Sequence, residues 1–217
     1  MADNAPLLIF DLDGTLVDSR EDIAASLNHG LMAVQLAPLS LEHAQSFIGR
    51  PLEDIFRTLT GDEEKTIAAS AAYREHFFKH CADKSRLYDG VLETLQTLNG
   101  STKKAVATTK RRFMAVRVIE AMGLAPYFDY VEGTDGFPAK PNPEILLRLL
   151  ARFETDPSRA WMIGDTAADV LAGKQAGMRV AAVRYGIGST EELSALNPDL
   201  LLTDFRQVAM LTERIPG

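Results

Sequence analysis

Leu7-Leu8-Ile9-Phe10 runs directly into Asp11-Leu12-Asp13-Gly14-Thr15 near the start of this 217-residue chain. The four apolar residues predict a buried strand that ends in two carboxylates, two positions apart. If the strand geometry persists through Asp13, both carboxylates point toward the same side, and such like charges need a reason to converge. The alternative is a strand followed by an Asx turn, because Asp and Gly are common turn formers.

Further apolar runs recur along the chain, each next to a helical pattern: Ala105–Thr108, Ala160–Ile163, Val180–Val183 and Leu200–Leu202. Strands that alternate with helices predict a parallel sheet with helices on both faces, an α/β fold. Strands buried on two sides carry apolar runs in place of strict alternation. Ligands of such a sheet bind beyond the carboxyl ends of its strands.

One segment, from about Val17 to Arg86, contains several amphipathic helical patterns and no convincing strand. The helices are expected at Ser19–Gln35, Leu41–Phe47, Leu52–Leu59 and Glu63–His80. Pro and Gly residues between them fit turns. We therefore expect a helical lobe inserted after the first strand.

A second apolar run ends in acidic residues: Ala160-Trp161-Met162-Ile163-Gly164 is followed by Asp165, and Asp169 comes four residues later. Two strands of one sheet that both end in Asp can place oxygen ligands around a hard cation. Mg²⁺ suits that arrangement, because it prefers oxygen ligands and often bridges to a substrate phosphate. The alternative is that Asp165 only caps the following helix, with Asp169 on its exposed first turn.

Hydroxyls and a cation that could hold a phosphate also follow strand patterns. Thr108 and Thr109 end the run that begins at Lys104, and Lys140 lies in Lys140-Pro141-Asn142-Pro143-Glu144. Such groups can hold phosphoryl oxygens as charge moves during transfer. Read singly, a Thr at a strand end is more often structural, and a Lys before Pro is more often a solvated loop charge.

Composition narrows the class of partner. The net charge of −7 is a poor match to nucleic acid or an anionic membrane, whose binding depends on Lys and Arg. No apolar run approaches the roughly 20 residues that cross a bilayer. The only cysteine, Cys81, cannot form an internal disulfide, and no secretory leader pattern precedes the first motif, so a cytoplasmic location is expected.

Taken together, the four segments resemble, in order and spacing, the motif set of the haloacid dehalogenase superfamily, and in particular its phosphoglycolate-phosphatase-like branch. The resemblance covers nearly the whole chain. It implies a Rossmannoid core, residues 1–16 and 86–217, with a small helical cap, residues 17–85, inserted after the first strand. The distance from Asp11 to Thr108 leaves space for such a cap, whereas the interval from Thr108 to Lys140 leaves none for the larger cap of some relatives.

The resemblance also implies a phosphatase mechanism. Asp11 would be the nucleophile that forms an aspartyl-phosphate, and Asp13 would be the general acid and base. Mg²⁺ would be held by a side-chain oxygen of Asp11, the backbone carbonyl of Asp13 and the carboxylate of Asp165. Thr108, Thr109 and Lys140 would bind the phosphoryl group of a small substrate such as phosphoglycolate. Asp169 could bind a metal water or orient Lys140.

Several features leave the substrate open. Thr109 stands where close phosphoglycolate-phosphatase relatives commonly carry Asn, which weakens any assignment of a particular substrate. Arg50 is a candidate contact for a substrate carboxylate or second phosphate, although a surface Arg in an interhelical turn is at least as reasonable. The protein is expected to be a monomer or a homodimer.

Other activities compete with a phosphatase. A dehalogenase would need neither Asp13 nor Mg²⁺, and a phosphonatase would need a Schiff-base lysine in the cap that the sequence does not convincingly supply. A sugar phosphomutase of the beta-phosphoglucomutase type shares the core chemistry and is the main alternative. A non-catalytic binding protein with the same fold is a further one, because function belongs to the site and not to the fold.

Two groups of polar residues receive structural interpretations. The histidines, of which only His76 and His80 have i, i+4 spacing, are expected to lie on the surface or in packing and not to bind zinc. Lys110-Arg111-Arg112 could attract anions, but a solvated helix start is favoured.

Overall fold

The computed structural model describes residues 5–214. Its main sheet has six strands in the order β5-β4-β1-β6-β7-β8, and every neighbouring pair is parallel. The eight strands are β1 Leu7–Phe10, β2 Val17–Asp18, β3 Arg86–Leu87, β4 Lys103–Thr108, β5 Tyr130–Gly133, β6 Ala160–Gly164, β7 Arg179–Val183 and β8 Leu200–Leu202. The expected parallel α/β sheet is thus confirmed.

The helices follow the strands in alternation, except for one uninterrupted series. They are α1 Arg20–Ala33, α2 Leu41–Gln45, α3 Leu52–Thr60, α4 Glu63–His80, α5 Val91–Thr97, α6 Arg112–Ala121, α7 Glu144–Phe153, α8 Ala167–Gln175 and α9 Thr190–Ala195. Short 3₁₀ segments occupy Ala125–Tyr127, Pro157–Arg159 and Phe205–Arg214. No helix within residues 5–214 is both long and apolar enough to span a bilayer.

The central strand β1 explains why its sequence is apolar without alternation. Leu8 and Phe10 belong to one buried cluster, whereas Leu7 and Ile9 belong to another that includes residues of α7. All four side chains are fully buried. A strand covered by helices on both faces has no exposed side, so each of its positions favours an apolar residue.

The uninterrupted series, α1 to α4, is the segment for which the sequence predicts helices. The long helices α1 and α4 pack against each other, and α3 packs on α4. Gly30 of α1 sits where a side chain would meet the Phe56 ring and the carbonyl oxygen of Ala69. The absence of a side chain at Gly30 therefore permits the close approach of α1 and α4.

Three strands were missed by the sequence analysis. The expectation of no strand between Val17 and Arg86 is wrong at its two ends, where β2 and β3 form a two-stranded antiparallel ribbon at the base of the helical segment. Each contributes only two residues, too few to produce a periodic pattern. β5 is an edge strand with only Val131 and Gly133 buried, and its mixed composition conceals it.

Candidate active site

The expected site residues meet at the carboxyl edge of the sheet because the central strands are parallel and in register. Asp11 directly follows β1, and its backbone N–H donates to the carbonyl of Ile163 in β6 (2.8 Å). Thr108 is the last residue of β4, and Asp165 directly follows β6. Residues more than 150 positions apart thereby come to lie at one end of the sheet.

Lys140 occupies the centre of the acidic residues. Its side chain is only 2% exposed, and Nζ lies 2.7 Å from Oδ1 of Asp11 and 2.6 Å from Oδ1 of Asp169. Nζ also donates to the carbonyl oxygen of Ala107 (2.8 Å). The alternative interpretation of Lys140 as a solvated loop charge is therefore wrong.

Asp165 is held in a closely fitting polar cradle. The hydroxyl of Thr15 donates to its Oδ1 (2.9 Å), and the backbone N–H of Ile187 donates to its Oδ2 (2.8 Å). A Cβ on Gly14, whose φ is +93°, or on Gly186 would lie within 2.3 Å of an Asp165 atom. The carboxylate is thus fixed by two loops that can approach it only because they carry glycine.

The two carboxylate oxygens of Asp169 have different partners, one at the start of α8 and the other on Lys140. Its Oδ2 accepts from the backbone N–H (3.0 Å) and the hydroxyl (2.7 Å) of Thr166, the N-cap of α8. Its Oδ1 faces Lys140. The alternative expected a cap on α8, and α8 is capped, but the cap is Thr166 and not Asp165. Asp169 is only 1% exposed, so it does not lie on an exposed first turn.

The carboxylates of Asp11, Asp165 and Asp169 form a cluster whose negative charge exceeds the positive charge of Lys140. One oxygen from each lies within 4.8 Å of the others. Burial raises the pKa of Asp11 to about 8, with further increases from the other carboxylates and an opposing effect from Lys140. Burial and the charge of Asp169 raise the pKa of Asp165 to about 7. Burial would lower the pKa of Lys140, but Asp11 and Asp169 together raise it above its ordinary value.

The composition of this cluster fits a hard divalent cation. Three buried carboxylates offer the oxygen ligands that Mg²⁺ prefers, and a cation would offset the burial and the repulsion that raise the pKa values of Asp11 and Asp165. Within residues 5–214, no other group of His, Cys, Asp and Glu has ligand atoms this close together. The rings of His29 and His76 stack with their centroids 4.5 Å apart, and the ring of His80 lies 4.5 Å from that of His76 in a tilted arrangement.

The Asp13 side chain makes a separate set of contacts. Ser19 donates its hydroxyl to Oδ1, and the Lys110 ammonium contacts Oδ2. Lys110 also lies 4.9 Å from the centroid of the Phe77 ring on α4. The interpretation of Lys110 as part of a solvated helix start is wrong, since its side chain is only 13% exposed. The contact of Lys110 with Asp13 could have been anticipated from the sequence because Lys110 comes two residues after Thr108.

Thr108 and Thr109 lie at the end of β4 with different exposures. Thr108 is buried, its hydroxyl accepts from the backbone N–H of Lys110 (3.3 Å), and its carbonyl accepts from the Thr134 hydroxyl (3.1 Å). Thr109 is half-buried and lines a cavity together with Asp13. The end of β4 therefore lies between the acidic cluster and the cavity.

The cavity has a volume of about 490 Å³ and lies between the helices α1, α3 and α4 and the loops that follow α2, β4 and β5. Arg50 lines it, with the guanidinium 5.3 Å from the Phe47 ring centroid and one nitrogen 3.3 Å from the Thr58 hydroxyl. Arg50 is thus placed beside a cavity that opens to Asp13, as a substrate contact would require. Its exposure leaves the surface alternative open as well.

Comparison with known proteins agrees with this geometry. A family model described as haloacid dehalogenase-like hydrolase matches residues 8–183. The chain is 35% identical to the "Probable phosphatase IndB" of Dickeya dadantii, over 94% of this chain and 91% of that protein. It is 31% identical to the phosphoglycolate phosphatase of Agrobacterium fabrum, over 93% and 89%.

A solved structure extends the likeness to the fold. The crystal structure of a predicted phosphoglycolate phosphatase from Haemophilus somnus superposes with a TM-score of 0.88 at 27% identity, over 96% of this chain and 98% of that one. The chain therefore belongs to the haloacid dehalogenase-like hydrolase family, in its phosphoglycolate-phosphatase-like branch. As an enzyme it is a phosphatase.

Proposed function

We propose that this protein is a Mg²⁺-dependent phosphatase that hydrolyses a small phosphate monoester, such as phosphoglycolate, through an aspartyl-phosphate on Asp11. The observation that carries the proposal is that the neighbouring carboxylates of Asp11 and Asp13 contact different residues. Asp11 faces the buried ammonium of Lys140, whereas Asp13 faces Lys110 and Ser19 beside the cavity. Carboxylates in different surroundings can take different roles.

In the first half-reaction, an oxygen of Asp11 forms a bond to phosphorus as the bond from phosphorus to the ester oxygen breaks. Asp13 donates a proton to the departing oxygen, which leaves as an alcohol. In the second half-reaction, Asp13 removes a proton from water. The water oxygen then attacks phosphorus, and the Asp11 carboxylate and inorganic phosphate are released.

Lys140, Thr108 and Thr109 would hold the phosphoryl group during these steps. The Lys140 ammonium places a positive charge beside Asp11, where two anions must approach each other in a buried site. Thr108 and Thr109 lie at the end of β4, next to the strand that carries Asp11. Asp169 orients Lys140 through the contact of 2.6 Å.

Asp11, Asp165 and the backbone carbonyl of Asp13 would hold the Mg²⁺. The bound ion would supply positive charge against the repulsion between the nucleophile and an anionic phosphate. The cluster of three carboxylates supports this assignment and adds Asp169 as a group close to the ion.

The helices of residues 17–85 would form the cap domain over the site, with residues 1–16 and 86–217 as the core, of which residues 1–4 and 215–217 lie outside the described part of the chain. The cavity between the helices α1, α3 and α4 and the loops at the sheet edge supports this division. Lids of this kind exclude water and present side chains to the substrate.

The proposal is tested by phosphate release from a panel of phosphate monoesters, with Mg²⁺ or with EDTA. We expect Mg²⁺-dependent turnover that Asp11→Asn abolishes. Asp54→Asn, the same change at an exposed residue of α3, should leave turnover intact. Transfer of the phosphate between two positions of a sugar phosphate, without release, would instead identify a phosphomutase; binding without either reaction would identify a binding protein.

A further inference from the structure

The cavity beside Asp13 has space for the alcohol part of a substrate. Asp13, which would protonate the departing oxygen, lines the cavity together with Arg50, whereas Asp11, Lys140 and Asp165 do not. The phosphoryl group and the alcohol part would therefore contact different residues. Lys140 would hold the phosphoryl group, and the side chains on the cavity wall would contact the alcohol part.

Arg50 lies on a loop that reaches the core close to the acidic cluster. The loop joins α2 to α3, and a Cβ at Gly49 would lie 3.7 Å from Cγ2 of Thr166, the residue that directly follows Asp165. Gly49 has a φ of +92°, a left-handed conformation that favours glycine. Arg50, the next residue, is therefore held where the helical segment meets the loop after β6, beside the proposed active site.

The cavity wall carries four cationic side chains and three carboxylates. The cations are Arg50, Arg74, Lys110 and Arg111, and the carboxylates are Asp13, Glu53 and Asp135. Lys110 contacts Asp13. Arg74 and Arg111 both contact Oε1 of Glu53, the latter at 2.8 Å. Three of the four cations therefore already have a carboxylate partner.

Arg50 is the cation of the four that has only uncharged partners within residues 5–214. One guanidinium nitrogen donates to the Thr58 hydroxyl (3.3 Å), and the guanidinium carbon lies 5.3 Å from the Phe47 ring centroid. A guanidinium can donate two parallel hydrogen bonds to a carboxylate or a phosphate, and such charge-assisted bonds are roughly twice as strong as neutral ones. An anion in the cavity would therefore gain more from Arg50 than from the cations that Glu53 and Asp13 already neutralise.

From these positions and charges, we infer that the substrate carries a second anionic group, a carboxylate or a phosphate, and that Arg50 selects the substrate by binding this group. The inference rests on the proposed phosphatase function and narrows the substrate to phosphate monoesters of anionic alcohols. Phosphoglycolate belongs to this class, with its carboxylate as the second anion. A cavity of about 490 Å³ also has space for longer members of the class.

The test compares three esters as substrates of the Mg²⁺-loaded enzyme: phosphoglycolate, ethane-1,2-diol bisphosphate, and ethyl phosphate, which lacks a second anion. For each of the first two, the ratio of kcat/KM to that of ethyl phosphate should fall about tenfold to a hundredfold in Arg50→Gln, as for loss of a charge-assisted hydrogen bond. The intrinsic reactivity of each ester is the same for every variant and cancels when the ratios are compared. Arg50→Lys should recover part of the ratio, because it keeps the charge but not the paired donors.

Arg57→Gln is the matched control. Arg57 of α3 pairs with Asp54 and Glu63 and does not line the cavity, so the ratios should not change. In Arg50→Gln, a fall for phosphoglycolate alone would identify the second anion as a carboxylate, and a fall for the bisphosphate alone would identify it as a phosphate; either result supports the inference. Unchanged ratios, including an equal loss of kcat/KM for all three esters, would overturn the inference and leave the phosphatase function standing.

Binding of phosphonates separates this inference from the proposed chemistry. In 3-phosphonopropionate, butane-1,4-diphosphonate and propyl phosphonate a methylene replaces each ester oxygen, so calorimetry of the Mg²⁺-loaded protein measures affinity without hydrolysis. Arg50→Gln should weaken the binding of one or both of the first two about tenfold or more relative to propyl phosphonate. That result supports the inference even if no monoester is turned over, an outcome that would defeat the phosphatase proposal alone. Equal affinity changes for all three phosphonates would contradict the inference.

Discussion

At the scale of single residues, Lys110 shows how a side chain outside the acidic cluster can govern the reaction. It contacts Asp13 from the loop between β4 and α6 and lies over Phe77 of α4. Ser19 holds the other oxygen of Asp13, so the carboxylate is fixed from both sides. We therefore expect Lys110 to act as a positioning residue for Asp13, the group that moves protons in the proposed mechanism.

Lys110→Met keeps most of the side chain over Phe77 and removes only the charge. We expect kcat to fall about tenfold to a hundredfold, as for loss of a charge-assisted hydrogen bond, with a smaller change in KM. Steady-state kinetics of Lys110→Met and Lys110→Arg measure this, and the Arg variant should recover part of kcat. Lys79→Met, at an exposed position of α4, serves as the control. A change confined to KM would show that Lys110 binds substrate and does not position Asp13.

At the scale of elements, the close packing of α1 against α4 requires Gly at position 30, although Ala has the higher helix propensity. Gly30→Ala would favour α1 by about 1 kcal/mol on propensity alone. The added methyl group would, however, lie 2.6 Å from the Phe56 ring and 2.7 Å from the carbonyl oxygen of Ala69. We expect a net loss of about 1–3 kcal/mol in the free energy of unfolding, measured by urea denaturation.

Ala25→Gly is the matched control for this prediction, because Ala25 is an exposed residue of the same helix. Propensity alone predicts opposite signs for the two substitutions, whereas packing predicts that both destabilise the protein. A Gly30→Ala protein more stable than the wild type would show that α1 and α4 do not approach as closely as described.

At the scale of the whole molecule, the acidic cluster links stability to pH and to Mg²⁺. Carboxyl groups of an unfolded chain ionise near pH 4, whereas those of Asp11 and Asp165 ionise at about 8 and about 7 in the folded protein without metal. Between these limits the folded state holds more protons than the unfolded state. A rise in pH therefore lowers the contribution of these groups to the free energy of unfolding.

Mg²⁺ should counteract this loss of stability with rising pH, because it binds the ionised carboxylates. We expect the stabilisation by Mg²⁺, relative to EDTA, to be larger at about pH 8 than at about pH 6. Urea denaturation at both pH values measures it. Asp165→Asn should lose most of the stabilisation, and Asp54→Asn should keep it. An equal effect of Mg²⁺ at both pH values would indicate that its ligands are not these raised carboxyls.

Much of the fold could be predicted because its signals are local. β1 and β8 begin and end where their apolar runs do, and α4 has the predicted bounds of Glu63–His80. β1 is a central strand buried on both faces, which favours an apolar residue at each position, whereas β8 is an edge strand that could be predicted because all three of its residues are leucine. The short ribbon of β2 and β3 and the edge strand β5 have no such burial, and they were missed.

The sequence alone also determined which carboxylates lie together, because the ends of parallel strands share one edge of the sheet and Asp11 and Asp165 both follow strands. Only the tertiary structure decided the partners of these residues. Lys110 meets Asp13 from 97 positions away, and Glu53 meets Arg111 from 58. The physical reason is that contacts between loops and helices far apart in the chain depend on how the elements pack, which leaves no periodic pattern in the sequence.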